Sequence, residues 1–208
     1  MNHTKPRRRR PTLRKTLLTF ATIAMAGTAS AQVVIRDKIT KLPPSTCQDG
    51  ATHQAVITGH RLRPGSFDLT KFEGQPVEIQ GTPGQVTCPF VTVTAIQALL
   101  VDQTTVATKT ATTMTAAFSC KGSFFDLISV YVSTRNNSAF FIPGIAGPCH
   151  LEPNIAILVG FRAWFGDPYL TVSIPLDPAL VGVDFFDQAV LSRKPSPPEW
   201  TNVDTFRF

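Results

Sequence analysis

Two neighbouring stretches of the chain alternate apolar and polar residues in the manner of β-strands. In VEIQ, at residues 77–80, Val77 and Ile79 alternate with polar residues, and FVTVTAIQ, at residues 90–97, repeats the pattern. A period of two predicts strands, because successive side chains of a strand point to opposite faces. Gly-Thr-Pro-Gly, at residues 81–84, predicts the turn between them.

Residues 47–101 are predicted to form one small β-unit. Its most readable segment has the pattern D-L-x-x-F-x-G-x-x-V-x-I-x-G, carried by Asp68, Leu69, Phe72, Gly74, Val77, Ile79 and Gly81. This segment resembles the small OB-like barrels of secreted bacterial proteins, and the resemblance implies a five-stranded barrel of a type that often binds oligomers. The predicted strands present Thr, Gln and Glu outward instead of the aromatic and basic side chains that bind nucleic acid, so nucleic acid is not an expected partner.

Two stretches border this predicted barrel. Residues 32–46 are interpreted as an N-terminal arm, stiffened by Leu-Pro-Pro-Ser at residues 42–45. Residues 102–114 are rich in Thr and Ala and are interpreted as a linker, with an edge strand as the alternative.

Residues 115–208 are predicted to form a jelly-roll-like β-sandwich, because short strand patterns recur between Gly and Pro residues. The apolar run IAILV, at residues 155–159, predicts a strand buried on both faces. Asp177 before Pro178 predicts one short helical turn. The expected fold class is therefore all-β, with an N-terminal OB-like small barrel followed by the sandwich.

Three segments of the second unit carry a further resemblance. They are IPLDPALVGV at residues 174–183, QAV at residues 188–190 and TNV at residues 201–203. They resemble the C-terminal domain of uncharacterised secreted proteins that are abundant in planctomycete-type bacteria. The resemblance implies export and a β-sandwich. It implies no known activity and no catalytic residues.

The first 31 residues have the organisation of a secretory signal peptide. Residues 1–15 contain seven Lys or Arg and no acidic residue, and residues 16–27 are an apolar run. Ala29-Ser30-Ala31 has the small-x-small pattern of a cleavage site. An uncleaved anchor is the alternative, but the run is shorter than the about 20 residues of a membrane span. The sequence therefore predicts a secreted or periplasmic protein with no membrane span after cleavage.

Removing this segment changes the charge of the chain. The whole sequence has a formal net charge of +6, from 20 Lys and Arg against 14 Asp and Glu. Seven of the basic residues belong to the predicted signal peptide, which leaves 13 basic against 14 acidic residues. Electrostatic attraction to nucleic acid or to an anionic membrane is therefore not expected of the mature chain.

Four cysteines, Cys47, Cys88, Cys120 and Cys149, lie in this chain, which is predicted to be exported. An even number in an oxidising compartment predicts two disulfides, with three possible connectivities. Cys47–Cys88 and Cys120–Cys149 are favoured, because each pair then lies within one predicted unit. Zinc is the alternative, but the spacings are wide and no C-x-x-C pair occurs. Neither a metal nor a cofactor is expected.

The sequence contains little that indicates catalysis. No G-x-S-x-G segment is present, and the mature chain has three histidines. The aspartates at Asp167-Pro168 and Asp177-Pro178 are explained by turn and cap chemistry. We therefore do not expect an enzyme.

Aromatic residues are the remaining candidates for ligand binding. Trp164, Tyr169 and Trp200 are possible stacking surfaces for sugar rings, whereas Phe161 and Phe165 are expected in the core. The expected function is an exported, non-enzymatic structural or interaction module of the cell envelope, whose partner is an envelope component. The alternative is a carbohydrate-binding protein that uses these three exposed aromatics on a polysaccharide.

Overall fold

The computed structural model describes residues 31–122, 126–163 and 169–208. Within them the chain forms fifteen β-strands and two short 3-10 helices, so the all-β class is confirmed. The predicted signal peptide, Phe165 and Trp164 lie outside the described residues, apart from Ala31 at the end of the signal peptide.

Five strands close into a barrel in the first part of the chain. They are β1 (Val33–Lys41), β2 (His53–Ala55), β3 (Arg61–Arg63), β4 (Pro76–Gln85) and β5 (Pro89–Ala98). Their order is β1-β2-β3-β5-β4, and pairing of β4 with β1 closes the barrel. β3 and β5 run parallel, and a 3-10 helix, Leu69–Phe72, lies between β3 and β4. This is the Greek-key arrangement of an OB-like barrel, as predicted.

The apolar positions of the alternating strands fill the barrel. The buried residues of this core are Ile35, Ile39, Ala55, Leu62, Leu69, Val77, Ile79, Val91 and Val93. Val77 and Ile79 are inside, as their alternation predicts. The interpretation of residues 32–46 as an arm is wrong for its first part, because β1 pairs with both β2 and β4. Without β1 the barrel would have two open edges.

The remaining ten strands form the second unit. They are β6 (Val101–Lys109), β7 (Thr113–Gly122), β8 (Leu127–Ser133), β9 (Asn136–Phe140), β10 (Cys149–Leu151), β11 (Ile157–Ala163), β12 (Leu170–Pro175), β13 (Asp184–Arg193), β14 (Ser196–Trp200) and β15 (Asp204–Arg207). One sheet has the order β12-β7-β6 and the other β11-β8-β13-β14, with β15 also on β13. The two sheets pack into a sandwich, and the β9–β10 hairpin lies on the outer side of the larger sheet.

Residues 102–114 are not a linker. Nearly all of them belong to β6, to β7 or to the turn between the two, and β6 pairs with β7 from Val101 to Lys109. β6 is an edge strand of its sheet, which is the alternative that the sequence left open. The second 3-10 helix, Pro178–Leu180, is confirmed as predicted, and the Asp177 side chain accepts a hydrogen bond from Ala179 N at 2.9 Å.

Arg36 of β1 joins the barrel to the sandwich. Its guanidinium donates to Glu78 Oε2 within the barrel at a distance of 2.8 Å, and to the carbonyl oxygen of Trp200 in the sandwich. Its backbone N–H donates to His150 Nε2 at 3.0 Å. Burial lowers the pKa of His150 to about 4, so the ring is neutral and can accept this hydrogen bond.

Two further contacts cross the same boundary. Lys38 Nζ lies 2.8 Å from Asp102 Oδ1, and Asn136 Nδ2 donates to the carbonyl oxygen of Ile57 at 3.1 Å. The outer side of β1 is therefore covered by the sandwich and is not available as a binding surface.

Candidate functional site

OB-like barrels bind ligands over β2 and β3, between the loops that connect β1 to β2 and β4 to β5. In this protein the β1–β2 loop lies on that face. Asp49 Oδ2 accepts a hydrogen bond from Arg61 Nε at 2.6 Å, and the Asp49 carbonyl oxygen accepts one from Arg63 Nε at 2.7 Å. The hydrogen bond from Arg61 lowers the pKa of Asp49 to about 2. The two basic residues of β3, Arg61 and Arg63, therefore form hydrogen bonds with the β1–β2 loop of the same chain.

A disulfide fixes the same loop. Cys47 in the β1–β2 loop is bonded to Cys88 in the β4–β5 loop, with the two Cα atoms 5.7 Å apart. This confirms the first predicted disulfide. It links the two loops that would otherwise border a ligand, so the usual OB surface is closed by the chain itself.

The ring of Phe90 lies beside this face, against Arg63 of β3. The Arg63 Cζ atom lies 4.1 Å from the ring centroid on one side. Gly84 touches the ring edge, and a Cβ there would lie 2.6 Å from Phe90 Cζ. Phe90 is only 7% exposed. Its ring is therefore not available to stack on a base or a sugar.

An open cleft of about 370 Å³ lies at the end of the barrel where β3 and β5 begin. Val33, Pro89 and Phe90 form apolar walls, and His60 and Arg61 are the ionisable side chains that line it. Arg61 is bonded to Asp49, and burial lowers the pKa of His60. The cleft therefore offers mainly apolar contact and few polar groups to orient a small ligand.

Two of the three predicted ligand-binding aromatics are buried, so that prediction is wrong for them. Tyr169 is 2% and Trp200 3% exposed. Tyr169 Oη donates to Gln103 Oε1 at 3.0 Å between the two sheets. Trp200 packs edge-on against Tyr131, with ring centroids 5.4 Å apart. The third, Trp164, lies outside the described residues.

The predicted Cys120–Cys149 disulfide is also wrong. Cys120 faces the core between the two sheets and donates its S–H to Gln103 Oε1 at 2.9 Å. Cys149 faces the outer side of the larger sheet, so that sheet separates the two sulfurs. Burial raises the pKa of the Cys149 thiol to about 11, which makes it a poor nucleophile at neutral pH.

A hydrogen-bonded network inside the sandwich was not predicted. Fully buried Gln103 of β6 donates to Asp187 Oδ1 at 2.8 Å, and accepts from Tyr169 and Cys120. Its backbone N–H donates to Asn202 Oδ1 at 2.9 Å. We name Gln103, Tyr169, Asp187 and Asn202 the polar core. The sequence contained one indication of this network. Asp187 and Ala189 are two residues apart in β13, so their side chains point to the same face of the sheet, and both are buried.

The electrostatics of the polar core follow from its burial. Loss of solvation, with a smaller effect from nearby Asp204, raises the pKa of Asp187 to about 7. The carboxyl group is therefore largely protonated in mildly acidic solution. Among the described residues, no group of three or more His, Cys, Asp or Glu side chains could hold a metal ion.

Strand β11 presents three large apolar side chains to solvent. Ile157 is 63%, Leu158 51% and Phe161 68% exposed. β11 pairs with β8 along one edge, and no other described strand pairs with it. Burial of the run at residues 155–159, and of Phe161, was predicted and is wrong. A continuous apolar run fits a strand buried on both sides, but it fits an uncovered edge equally well.

The edge of the other sheet differs. β12 turns Thr171 and Ser173 to solvent, and the Ser173 hydroxyl lies 2.9 Å from that of Thr115 on β7. Such polar side chains are the ordinary protection of an edge strand. β11 has one charged residue, Arg162, and is otherwise apolar. We call Ile157, Leu158 and Phe161 the apolar edge and take it as the candidate functional site.

No family model, no curated protein and no solved structure matches this chain. The resemblance to secreted planctomycete-type proteins therefore stays a prediction. In the part of the chain that the structure describes, no helix is both long enough and apolar enough to cross a membrane.

Proposed function

We propose that this protein is an exported, non-enzymatic interaction module of the cell envelope, and that the apolar edge is its contact surface. The observation that carries the proposal is the exposure of Ile157, Leu158 and Phe161 on a strand whose outer edge pairs with no described strand. Such an edge offers both backbone hydrogen-bonding groups and apolar area to another chain.

The exposed area supports this assignment because Leu158 and Phe161 are neighbours on one side of the sheet, while Ile157, opposite Val132, lies on the other side of the same strand. Single exposed apolar residues are normal on a protein surface, whereas contiguous ones mark contact sites. Leu158 and Phe161 lie on the outer side of the sheet, opposite Tyr131 and Ser129 of β8. A partner strand would extend this sheet by one strand and cover both side chains.

Two features support the rest of the proposal. The Cys47–Cys88 disulfide is typical of an oxidising compartment such as the periplasm or the cell exterior. Three ionisable groups with strongly shifted pKa values, Tyr169, Asp187 and His150, are buried in the sandwich or at its boundary with the barrel and do not line either of the two clefts at the surface. Perturbed groups at such positions fit a structural role better than catalysis.

The proposal is tested by photo-crosslinking in the producing cell. A benzophenone amino acid replaces Phe161 in one variant and Val106, which is 61% exposed on β6, in a matched control. We expect a cross-linked species from position 161 and none, or far less, from position 106. Equal adducts from both positions, or none from position 161, would contradict a dedicated contact surface on β11.

A further inference from the structure

We propose that the contact between the barrel and the sandwich is an acid-sensitive latch, which opens when the ring of His150 takes up a proton. We define the latch as Arg36 of β1 together with His150 and Val203 of the sandwich. It shares no residue with the apolar edge, so this inference is independent of the function proposed above.

The latch covers a side of β1 that no barrel strand covers. β1 pairs with β4 along residues 33–38, but on its other side it pairs with β2 only along residues 39–41. On that other side, the N–H of Arg36 donates to His150 Nε2 at 3.0 Å, and its carbonyl oxygen accepts from Val203 N at 3.2 Å. Buried backbone groups are costly to leave without partners, so these two hydrogen bonds hold β1 against the sandwich.

The protonation state of His150 decides whether it can accept this hydrogen bond. A neutral imidazole has one acceptor nitrogen, whereas an imidazolium carries an N–H group on both nitrogens. A proton on Nε2 would therefore point at the N–H of Arg36 and remove the contact. His150 is fully buried, so an imidazolium in the closed latch would also lack hydration.

The surroundings of the ring oppose a positive charge. Burial, followed by the charge of nearby His60, lowers the pKa of His150 to about 4, and Arg36 adds a smaller effect in the same direction. The carbonyl oxygen of Asn137 acts in the opposite direction but does not offset these effects. His60 is partly buried, and burial lowers its pKa as well. Protonation is therefore easier once the latch is open and the ring is hydrated.

The other groups at the latch do not compensate for a charge on the ring. The carboxylates of Glu78 and Glu199 lie at the guanidinium of Arg36, 2.8 Å from Nη2 and 3.8 Å from Nη1. On β13, Gln188 is neutral, and its Oε1 accepts from the backbone N–H of the histidine at 2.9 Å. The carboxylates are thus placed to offset the charge of the arginine.

Acid should weaken the latch while it stabilises the interior of each unit. The lowered pKa of His150 means that the closed form loses stability as pH falls from 6.5 towards 4. Burial raises the pKa of Asp187 in the sandwich to about 7, and that of Asp37 in the barrel to about 6, so both groups contribute more stability as pH falls. The hydrogen bonds that Asp37 accepts from Ile57 and Thr58 lie within the barrel and survive opening. The two units should therefore separate without unfolding.

The experiment is NMR-detected amide hydrogen exchange of the purified mature protein at pH 7 and pH 4, corrected for the intrinsic effect of pH on exchange. The amide of Arg36 reports on the latch, and those of Ile79 and Val130 report on the barrel and the sandwich. The pKa of His150, 6.5 when hydrated and about 4 in the closed latch, corresponds to about a hundredfold loss of protection at Arg36. Protection at the other two amides should not fall.

The variant His150→Gln separates the effect of the ring from other effects of acid. Glutamine keeps an oxygen acceptor for the N–H of Arg36 and does not titrate, so the loss of protection at pH 4 should disappear. His53→Gln is the matched control, because His53 is also buried but its ring lies 2.9 Å from Glu73 within the barrel. This control should behave as the wild type does. Circular dichroism checks that both variants fold.

The wild type alone can overturn the inference, whether or not the variants fold. Equal protection at Arg36 at the two pH values would mean that the latch does not open. An equal loss at Arg36, Ile79 and Val130 would mean that acid unfolds the protein instead. A full loss at pH 4 in His150→Gln would also overturn the inference, because a different group would then control the contact.

Discussion

The barrel and the sandwich are stabilised in different ways. The barrel encloses an apolar core, and a disulfide ties two of its loops together. The sandwich has no disulfide among its described residues, and the polar core, joined by hydrogen bonds through Gln103, lies between its sheets. A small unit buries a smaller fraction of its surface and gains more from a cross-link. The larger sandwich holds a buried carboxyl group, that of Asp187, whose Oδ1 atom accepts a hydrogen bond from Gln103.

The difference teaches where each unit is vulnerable. The barrel depends on a covalent bond that a reductant removes. The sandwich depends on Gln103, whose side-chain amide contacts Asp187 and Tyr169 and whose backbone N–H contacts Asn202. Substitutions in one unit should therefore act mainly on that unit.

The largest effect is expected from Gln103→Ala. This substitution removes the hydrogen-bond partner of the Tyr169 hydroxyl and of the Asp187 carboxyl group. Each buried group left without a partner costs about 1–3 kcal/mol. We therefore expect the free energy of unfolding to fall by about 4–5 kcal/mol. Denaturant titration measures it, with exposed Gln85→Ala as the control. Similar midpoints for the two variants would show that the polar core does not stabilise the sandwich.

The double variant Cys47→Ser, Cys88→Ser tests the barrel. The bond joins residues separated by 41 positions, and in the chain-entropy model its loss costs about 4 kcal/mol. Hydrogen exchange should show lower protection in β1–β5 and little change in β7, β8 and β13. Equal loss of protection in both units would mean that they unfold as one and that the comparison fails.

The smallest of these effects is expected from Asp187→Asn, and it depends on pH. The carboxyl group of Asp187 has its pKa raised from 3.8 to about 7 in the folded state. A raised acid pKa contributes stability that is present at low pH and lost as pH rises between these two values. From pH 5 to pH 8 the wild type should lose about 2–3 kcal/mol relative to Asp187→Asn, which keeps an acceptor for Gln103 and does not titrate.

This comparison of the two proteins isolates Asp187. His150, whose pKa is lowered to about 4, contributes stability that is lost as pH falls, but it contributes equally to both proteins. Denaturant titration at each pH gives the difference in the free energy of unfolding. A difference that does not vary with pH would mean that Asp187 is not protonated in the folded sandwich.

The sequence predicted the fold where one local pattern had one structural meaning. The alternation of Val77 and Ile79 fits only a strand with one buried face, and the barrel core contains both. The Asp177 cap is equally local, and the structure has it. For such features, the residues adjacent in sequence alone determine the backbone conformation.

The candidate site was not predictable in the same way. The apolar run at residues 155–159 is compatible with burial or with an open edge, and only the order of strands, with β11 last in its sheet, decides between them. The cysteine pairing depends on which side of a sheet Cys120 and Cys149 face, which their spacing does not encode. Tyr169 and Trp200 were misassigned because an aromatic residue fits a core as well as a binding surface.

Arg36 links the order of synthesis to the finished structure. Its guanidinium donates to Trp200, which is added to the chain 164 residues later, and its carbonyl oxygen accepts a hydrogen bond from Val203 N at 3.2 Å. All five barrel strands are therefore made well before one face of β1 can be covered. A chain that ends before residue 197 could still close the barrel, but β1 would remain exposed to proteases. Residues 200–203 thus decide whether β1 is protected, and a chain that contains them differs in protease resistance from one that ends before them.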